Sequence, residues 1–113
     1  MMMICGSNVY AAGDVAAGKA GFNKCASCHQ VGPTARTGFG PQLTAIIGRP
    51  AAAAKDYTYS DAMKKSGIVW SEKTLTAFLK SPSDTVPGTK MRFWGISDEQ
   101  QIADLLAYLR SVQ

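Results

Sequence analysis

Cys25 and Cys28 stand two residues apart and His29 follows directly, so two thiols and one imidazole share a single turn of chain. A four-ligand zinc site would need one further ligand. With three cysteines and one histidine in all, it would have to recruit Cys5 from the start of the chain. A dithiol redox pair of the thioredoxin kind normally follows a buried strand, yet Gly18 to Lys24 holds no β-branched residue and one large apolar one, Phe22. What remains is C-x-x-C-H, the haem c attachment motif, in which two thiols add to porphyrin vinyl groups and the adjacent imidazole reaches the iron. Such an iron takes a second axial ligand, and the candidates are Met91, Met63 and the methionines at the amino terminus. Met91 closes the run Val86-Pro87-Gly88-Thr89-Lys90-Met91, where Pro87 and Gly88 stiffen a turn that can aim a thioether inward.

The elements that must position these groups read as short helices joined by long loops. A helix is predicted from Asp14, with the aspartate as cap and Val15, Gly18 and Phe22 on one face, and it delivers Cys25. From Val31 to Tyr59 the chain carries Gly32-Pro33, Gly38, Gly40-Pro41, Gly48 and Pro50, too many breakers for a long helix or a sheet. Ser60 is predicted to cap a helix through Ser66, stopped at Gly67; Ser71 caps the next, which presents Leu75, Phe78 and Leu79 and ends at Ser81-Pro82. The last helix reads most clearly, with Ser97 and Gln100 as a capping box and Ile102, Leu105, Leu106, Leu109 and Val112 as one apolar stripe. The fold class expected is all-α.

With 113 residues the chain has room for one core, and two independent cores are excluded. Apolar residues make up 46% of it, but 16 of these are alanines, which leaves few larger side chains to build an interior. Twelve Lys and Arg against eight Asp and Glu give a formal +4 without any long basic run, which favours an acidic partner surface over nucleic acid. No apolar stretch approaches the roughly 20 residues needed to span a bilayer. Residues 1–12 read as the remnant of an export signal or a disordered N-terminal extension. Val9 and Ala11 suit a signal-peptidase site, but only four apolar residues precede Cys5, so the signal is incomplete. Residues 13–113 form the remaining domain.

Over Gly13 to Ser111 the sequence resembles the class I cytochromes c, the family of mitochondrial cytochrome c and bacterial cytochrome c2. The resemblance is carried by Gly18-Lys19 with Phe22, Lys24 to His29, Val31-Gly32-Pro33, Gly40-Pro41-Gln42-Leu43, Gly48-Arg49, Tyr57 to Ala62, Gly67 to Trp70, Pro87 to Met91 and Leu105 to Leu109. It implies a cytochrome c fold wrapped around one covalent haem c, with Cys25 and Cys28 as thioether links and His29 and Met91 as iron ligands. It further implies that the Pro41 carbonyl takes the second ring N–H of His29 and that Arg49, Tyr59, Trp70 and Thr89 serve the haem propionates. Gly18 and Phe22 should pack against Leu105 and Tyr108.

The same resemblance implies a monomeric, periplasmic one-electron carrier rather than an enzyme. It would run between a bc-type quinol–cytochrome c oxidoreductase and a terminal oxidase or photosynthetic reaction centre, docking on their acidic faces through Lys24, Arg36, Lys90 and Phe93. Lys19, Lys80 and Arg92 are additions to that basic ring, while Ser83 and Asp84 stand where many relatives carry lysines. The rival function is a peroxidase-like activity with Met91 displaced from iron. Two departures from the family pattern fall beside the distal ligand. Phe78 replaces a common tyrosine and Met63 a common asparagine, so a drier pocket is expected. Trp94 stands where relatives carry smaller residues.

Overall fold

A computed structural model describes residues 13–113. The export-signal reading of residues 1–12, Cys5 included, lies outside the described residues. Helix α1, Val15–Gly21, opens on Asp14, whose Oδ1 accepts the N–H groups of Ala16 (2.9 Å) and Ala17 (3.3 Å). It tightens into a 3-10 turn, Phe22–Lys24, that ends at Cys25. Helix α2, Asp61–Lys65, is capped by the Ser60 hydroxyl, and Gly67 follows it at φ 68°, a left-handed position suited to glycine. Helix α3, Glu72–Lys80, carries a reciprocal capping box between Ser71 and Thr74.

Three details depart from the sequence expectation. Pro82 does not simply stop α3 but starts a one-turn helix α4, Pro82–Thr85, since its fixed φ suits the first helical position. Helix α5, Glu99–Ser111, is capped not by a Ser97–Gln100 box but by Asp98, whose Oδ1 accepts from Gln100 (2.8 Å) and Gln101 (3.2 Å). The helix therefore begins one residue later, with a stronger acceptor at its positive end. Val15 lies at the surface, and Gly13 takes the inward place beside Ala103 and Ala107.

Helices α1 and α5 form the principal packing unit. A side chain at Gly18 would overlap the Asp104 carbonyl, and one at Gly13 the Ala103 carbonyl, so the two backbones touch where they cross. Phe22 stacks tilted on Tyr108 with ring centres 5.5 Å apart. Ile102, Leu105, Leu106 and Leu109 of α5 are all buried, each contributing about 1.5–3 kcal/mol by removal from water. Helices this short do not stand alone in water and depend on that packing.

Between Cys25 and Ser60 the described chain has neither helix nor strand, only one bridge, Pro50 to Val69, so its backbone groups need other partners. Side chains supply several. Thr44 accepts from Gly32 N–H (2.9 Å) and donates to Gly32 C=O (3.0 Å), Gln30 accepts from Arg36 N–H (3.0 Å), and Tyr59 accepts from Ala54 N–H (3.1 Å). Antiparallel backbone bonds then join residues 48–51 to 68–70, with Trp70 N–H on Arg49 C=O at 3.0 Å and Ala51 N–H on Ile68 C=O at 2.7 Å. These bonds bring Arg49 and Trp70 side by side.

The α1–α5 crossing yields two expected outcomes. Gly18→Ala forces the helices apart and lowers unfolding free energy by about 1–3 kcal/mol or more, measured by urea titration. Asp104 accepts the Asp14 N–H (2.9 Å) and the Gln100 amide (2.9 Å), and the backbone bond first, then the amide, hold its carboxyl below the ordinary value of 3.8. Its contribution is therefore present above that value and lost as pH falls through the lower folded value. Asp104→Asn should flatten the stability–pH curve in that acid window and leave the curve at neutral pH parallel to the parent's.

Candidate functional site

The apolar faces of these helices and loops do not close on one another but surround a cavity of about 430 Å³, within the usual range for a bound organic cofactor. Cys25, Cys28, His29, Pro41, Arg49, Tyr59, Trp70, Thr89 and Met91 all line it, drawn from segments spread between residues 25 and 91. The C-x-x-C-H turn is held by backbone bonds from Cys28 and His29 N–H to the Cys25 carbonyl, at 3.0 and 2.9 Å. It is joined to the next loop by Gly40 N–H donating to the Cys28 carbonyl at 2.8 Å.

His29 Nδ1 lies 2.7 Å from the Pro41 carbonyl. A carbonyl only accepts, so Nδ1 carries the proton and Nε2 keeps its lone pair. Burial, ahead of the nearby Arg49 charge, pushes the His29 pKa below 6.5, outweighing the Pro41 bond that raises it, so the ring is neutral at neutral pH. Gly40 packs flat under this ring; a Cβ there would come within 2.5 Å of Cε1. Burial chiefly, with Cys28 beside it, raises the Cys25 pKa above 9.0 despite Lys24, and keeps that sulfur a thiol.

Arg49 donates to the carbonyls of Gln42 (2.7 Å) and Thr44 (3.2 Å), using two of its five N–H groups and leaving the rest for an anion in the cavity. Burial lowers its pKa, offset by Tyr59 and Asp56, and a guanidinium so placed stays charged. Tyr59 accepts from Ala54 and retains its own O–H. Trp70 is buried, edge-on to Phe78 at 5.2 Å. The Thr89 hydroxyl accepts from Met91 N–H at 3.3 Å, an internal bond that steadies the turn before Met91. Phe78 and Met63 both line the cavity beside these groups and offer it no polar hydrogen.

The residues fit a haem. Two thiols and a neutral imidazole sit at one wall with a thioether in the same cavity, and among the described residues no cluster of three His, Cys, Asp or Glu suits a bare metal ion. A family profile described as Cytochrome c matches residues 15–113. The chain belongs to the cytochrome c family. It is 45% identical over 107 residues to cytochrome c2 of Rhodomicrobium vannielii, covering 95% of this chain and 86% of that one. It is 50% identical over 99 residues to cytochrome c-554 of Methylosinus trichosporium, covering 88% and 75%. Cytochrome cH from Methylobacterium extorquens superposes with a TM-score of 0.82 at 43% identity, over 88% of this chain and 99% of that one. The fold is thus the all-α cytochrome c fold, and the family is one of electron carriers rather than enzymes. It implies covalently bound haem c. Among the described residues no helix is long and apolar enough to cross a membrane.

The docking candidates separate in this cytochrome. Lys24, Arg92 and Phe93 line the mouth of the cavity, with Lys24 and Arg92 exposed and Phe93 half-buried, and Arg36 is exposed nearby in sequence to the attachment turn. Lys80 pairs with Glu99 at 2.9 Å. Lys90 is engaged differently again: its Nζ donates to the Thr58 carbonyl at 2.5 Å and lies 5.1 Å from the Tyr57 ring centre. It straps the loop before Met91 to the loop before α2, a role that spacing along the chain gave no sign of. Gly40 beneath His29 and the exposed Phe39 were also missed; an aromatic between Gly38 and Gly40 was the available signal. Lys90→Gln should lower unfolding free energy by about 1–2 kcal/mol, the scale of one charged hydrogen bond with a cation–π contact, in guanidinium titrations. Lys24→Gln, which breaks neither contact, should change stability by less than about 0.5 kcal/mol.

Proposed function

We propose that this cytochrome is a soluble, monomeric one-electron carrier of the bacterial periplasm. It accepts from a bc-type quinol–cytochrome c oxidoreductase and donates to a terminal oxidase or photosynthetic reaction centre. The observation that carries the reading is the His29 ring, fixed by the Pro41 carbonyl with Nε2 free, in a cavity it shares with two thiols and Met91. Haem c supplies an iron that changes by one electron. Cys25 and Cys28 would tether it by thioether links, and His29 and Met91 are the two side chains that would hold its iron, which leaves a substrate no place to bind there. A soft thioether together with an imidazole as ligands would favour the reduced state and raise the reduction potential.

Arg49, Tyr59, Trp70 and Thr89 hold the propionates, whose burial would otherwise be costly, with one fixed charge and several N–H and O–H groups. Phe78, Met63, Leu75 and Leu79 keep water from the interior and lower the reorganisation that accompanies each change of charge. Lys24 and Arg36 attract an acidic partner toward Phe93 at the mouth, as electrostatic steering requires; Lys90 lends its charge to the same side while bonded to Thr58. Compartment and partners rest on relatives named cytochrome c2 and c-550, and on the rule that haem is attached to C-x-x-C-H outside the bacterial cytoplasm.

The test is optical. The ferric protein should show the weak sulfur-to-iron band, Met91→Ala should abolish it and lower the potential, and peroxide turnover by the parent should be slow at neutral pH. Absence of the band in the parent, with rapid peroxide turnover, would replace the carrier with a peroxidase.

A further inference from the structure

Resting on the carrier reading, we infer that Trp94, with Phe39, is an apolar anchor that seats in a recess on the docking face of an acidic redox protein. The observation is a mismatch between cost and structural use. Trp94 is 101% exposed and Phe39 84%, so neither ring contributes to the core, yet Phe39 lines the cavity and Trp94 is the chain neighbour of a lining residue. Phe39 lines the mouth on the loop that carries Gly40 and Pro41, and Trp94 follows Phe93, a lining residue on the segment that carries Met91. The backbone beside Trp94 is also fixed. Gly95 adopts φ 108° and packs against the Lys80 carbonyl, and Ile96 N–H donates to Leu79 C=O at 2.7 Å, so the indole is presented from a rigid support.

Charge at the mouth says what kind of partner fits. Among the described residues, Lys24, Arg36 and Arg92 make no ion pair, and they provide the attraction for acidic groups. The segment from α3 to Met91 is electrostatically weak by comparison. Lys80 is paired with Glu99, α4 exposes Ser83 and Asp84, and Lys90 keeps its charge but has its position fixed by the Thr58 carbonyl. A partner held by charge alone would find one fixed cation, Lys90, between α4 and Met91. A large rigid ring compensates, because burying an aromatic contributes contact area at small conformational cost and does not fade with salt. Truncation of a central interface tryptophan commonly costs 2 kcal/mol or more, which is about 30-fold in affinity.

The experiment uses the holoprotein with the detergent-purified bc-type complex and terminal oxidase of the organism that makes it, following electron transfer across a range of ionic strength. Trp94→Ala should keep the parent's unfolding midpoint and spectrum. It should weaken the apparent affinity for at least one complex by about 10–30-fold at every ionic strength, with an unchanged salt slope. Lys24→Gln should do the reverse, lowering the slope while converging on the parent at high salt. Phe39→Ala should act as Trp94→Ala does, with a smaller loss. Equal affinity of Trp94→Ala and parent for both complexes would overturn the inference, as would a loss confined to low salt. So would co-sedimentation of the parent, but not of Trp94→Ala, with phosphatidylglycerol–phosphatidylcholine vesicles, which would assign the ring to lipid. A parent that exchanges electrons with neither complex while retaining its sulfur-to-iron band would instead remove the carrier reading, and the anchor with it.

Discussion

The 2.7 Å hydrogen bond from His29 to the Pro41 carbonyl is the contact on which the rest of the structure depends. It joins a turn whose residues are adjacent in sequence to a loop that has no regular structure of its own. It also chooses the tautomer, because a proton fixed on Nδ1 leaves Nε2 as the only acceptor on the ring. Gly40 makes the approach possible by having no side chain, and its N–H closes a second bond to Cys28. Beyond Pro41, the Gln42 and Thr44 carbonyls take the Arg49 guanidinium, so the half-buried cation of the cavity wall is positioned by the loop that orients the imidazole.

Around that loop the helices behave as a frame. The α1–α5 crossing brings the beginning and end of the described chain together through two glycines and one acceptor, Asp104, and leaves Phe22, Leu105 and Leu109 facing the cavity. Short elements and irregular loops are compatible with a stable interior here because their apolar faces, beside the buried cluster of α3 and α5, line one cavity that the family's haem c would fill. Phe78 and Met63, which line the cavity with Met91, carry the same logic further, toward an interior with few hydrogen-bonding partners for water.

Much of this was legible before any coordinates. Asp14, Ser60, Ser71 and Gly67 mark helix ends through local hydrogen bonding and backbone preference, and such signals act over three or four residues. The cap of α5 was misplaced by one residue because Ser97 and Asp98 are both good caps and only the folded chain decides between them. Helix α4 was missed because a proline that ends one helix is also an ideal first residue for another.

By itself the sequence marked the residues whose chemistry suits haem attachment, since C-x-x-C-H and a methionine behind Pro-Gly need only residue type and spacing to be read. It determined the helical class for the same reason, through local caps and periodic apolar faces. Tertiary structure alone decided which charges and rings are available to a partner. Lys90 is tied to Thr58, 32 residues away, and Lys80 to Glu99, 19 away, whereas Phe39 and Trp94 stand in solvent. No local pattern encodes those distances, because a side chain's freedom depends on what the rest of the chain brings beside it.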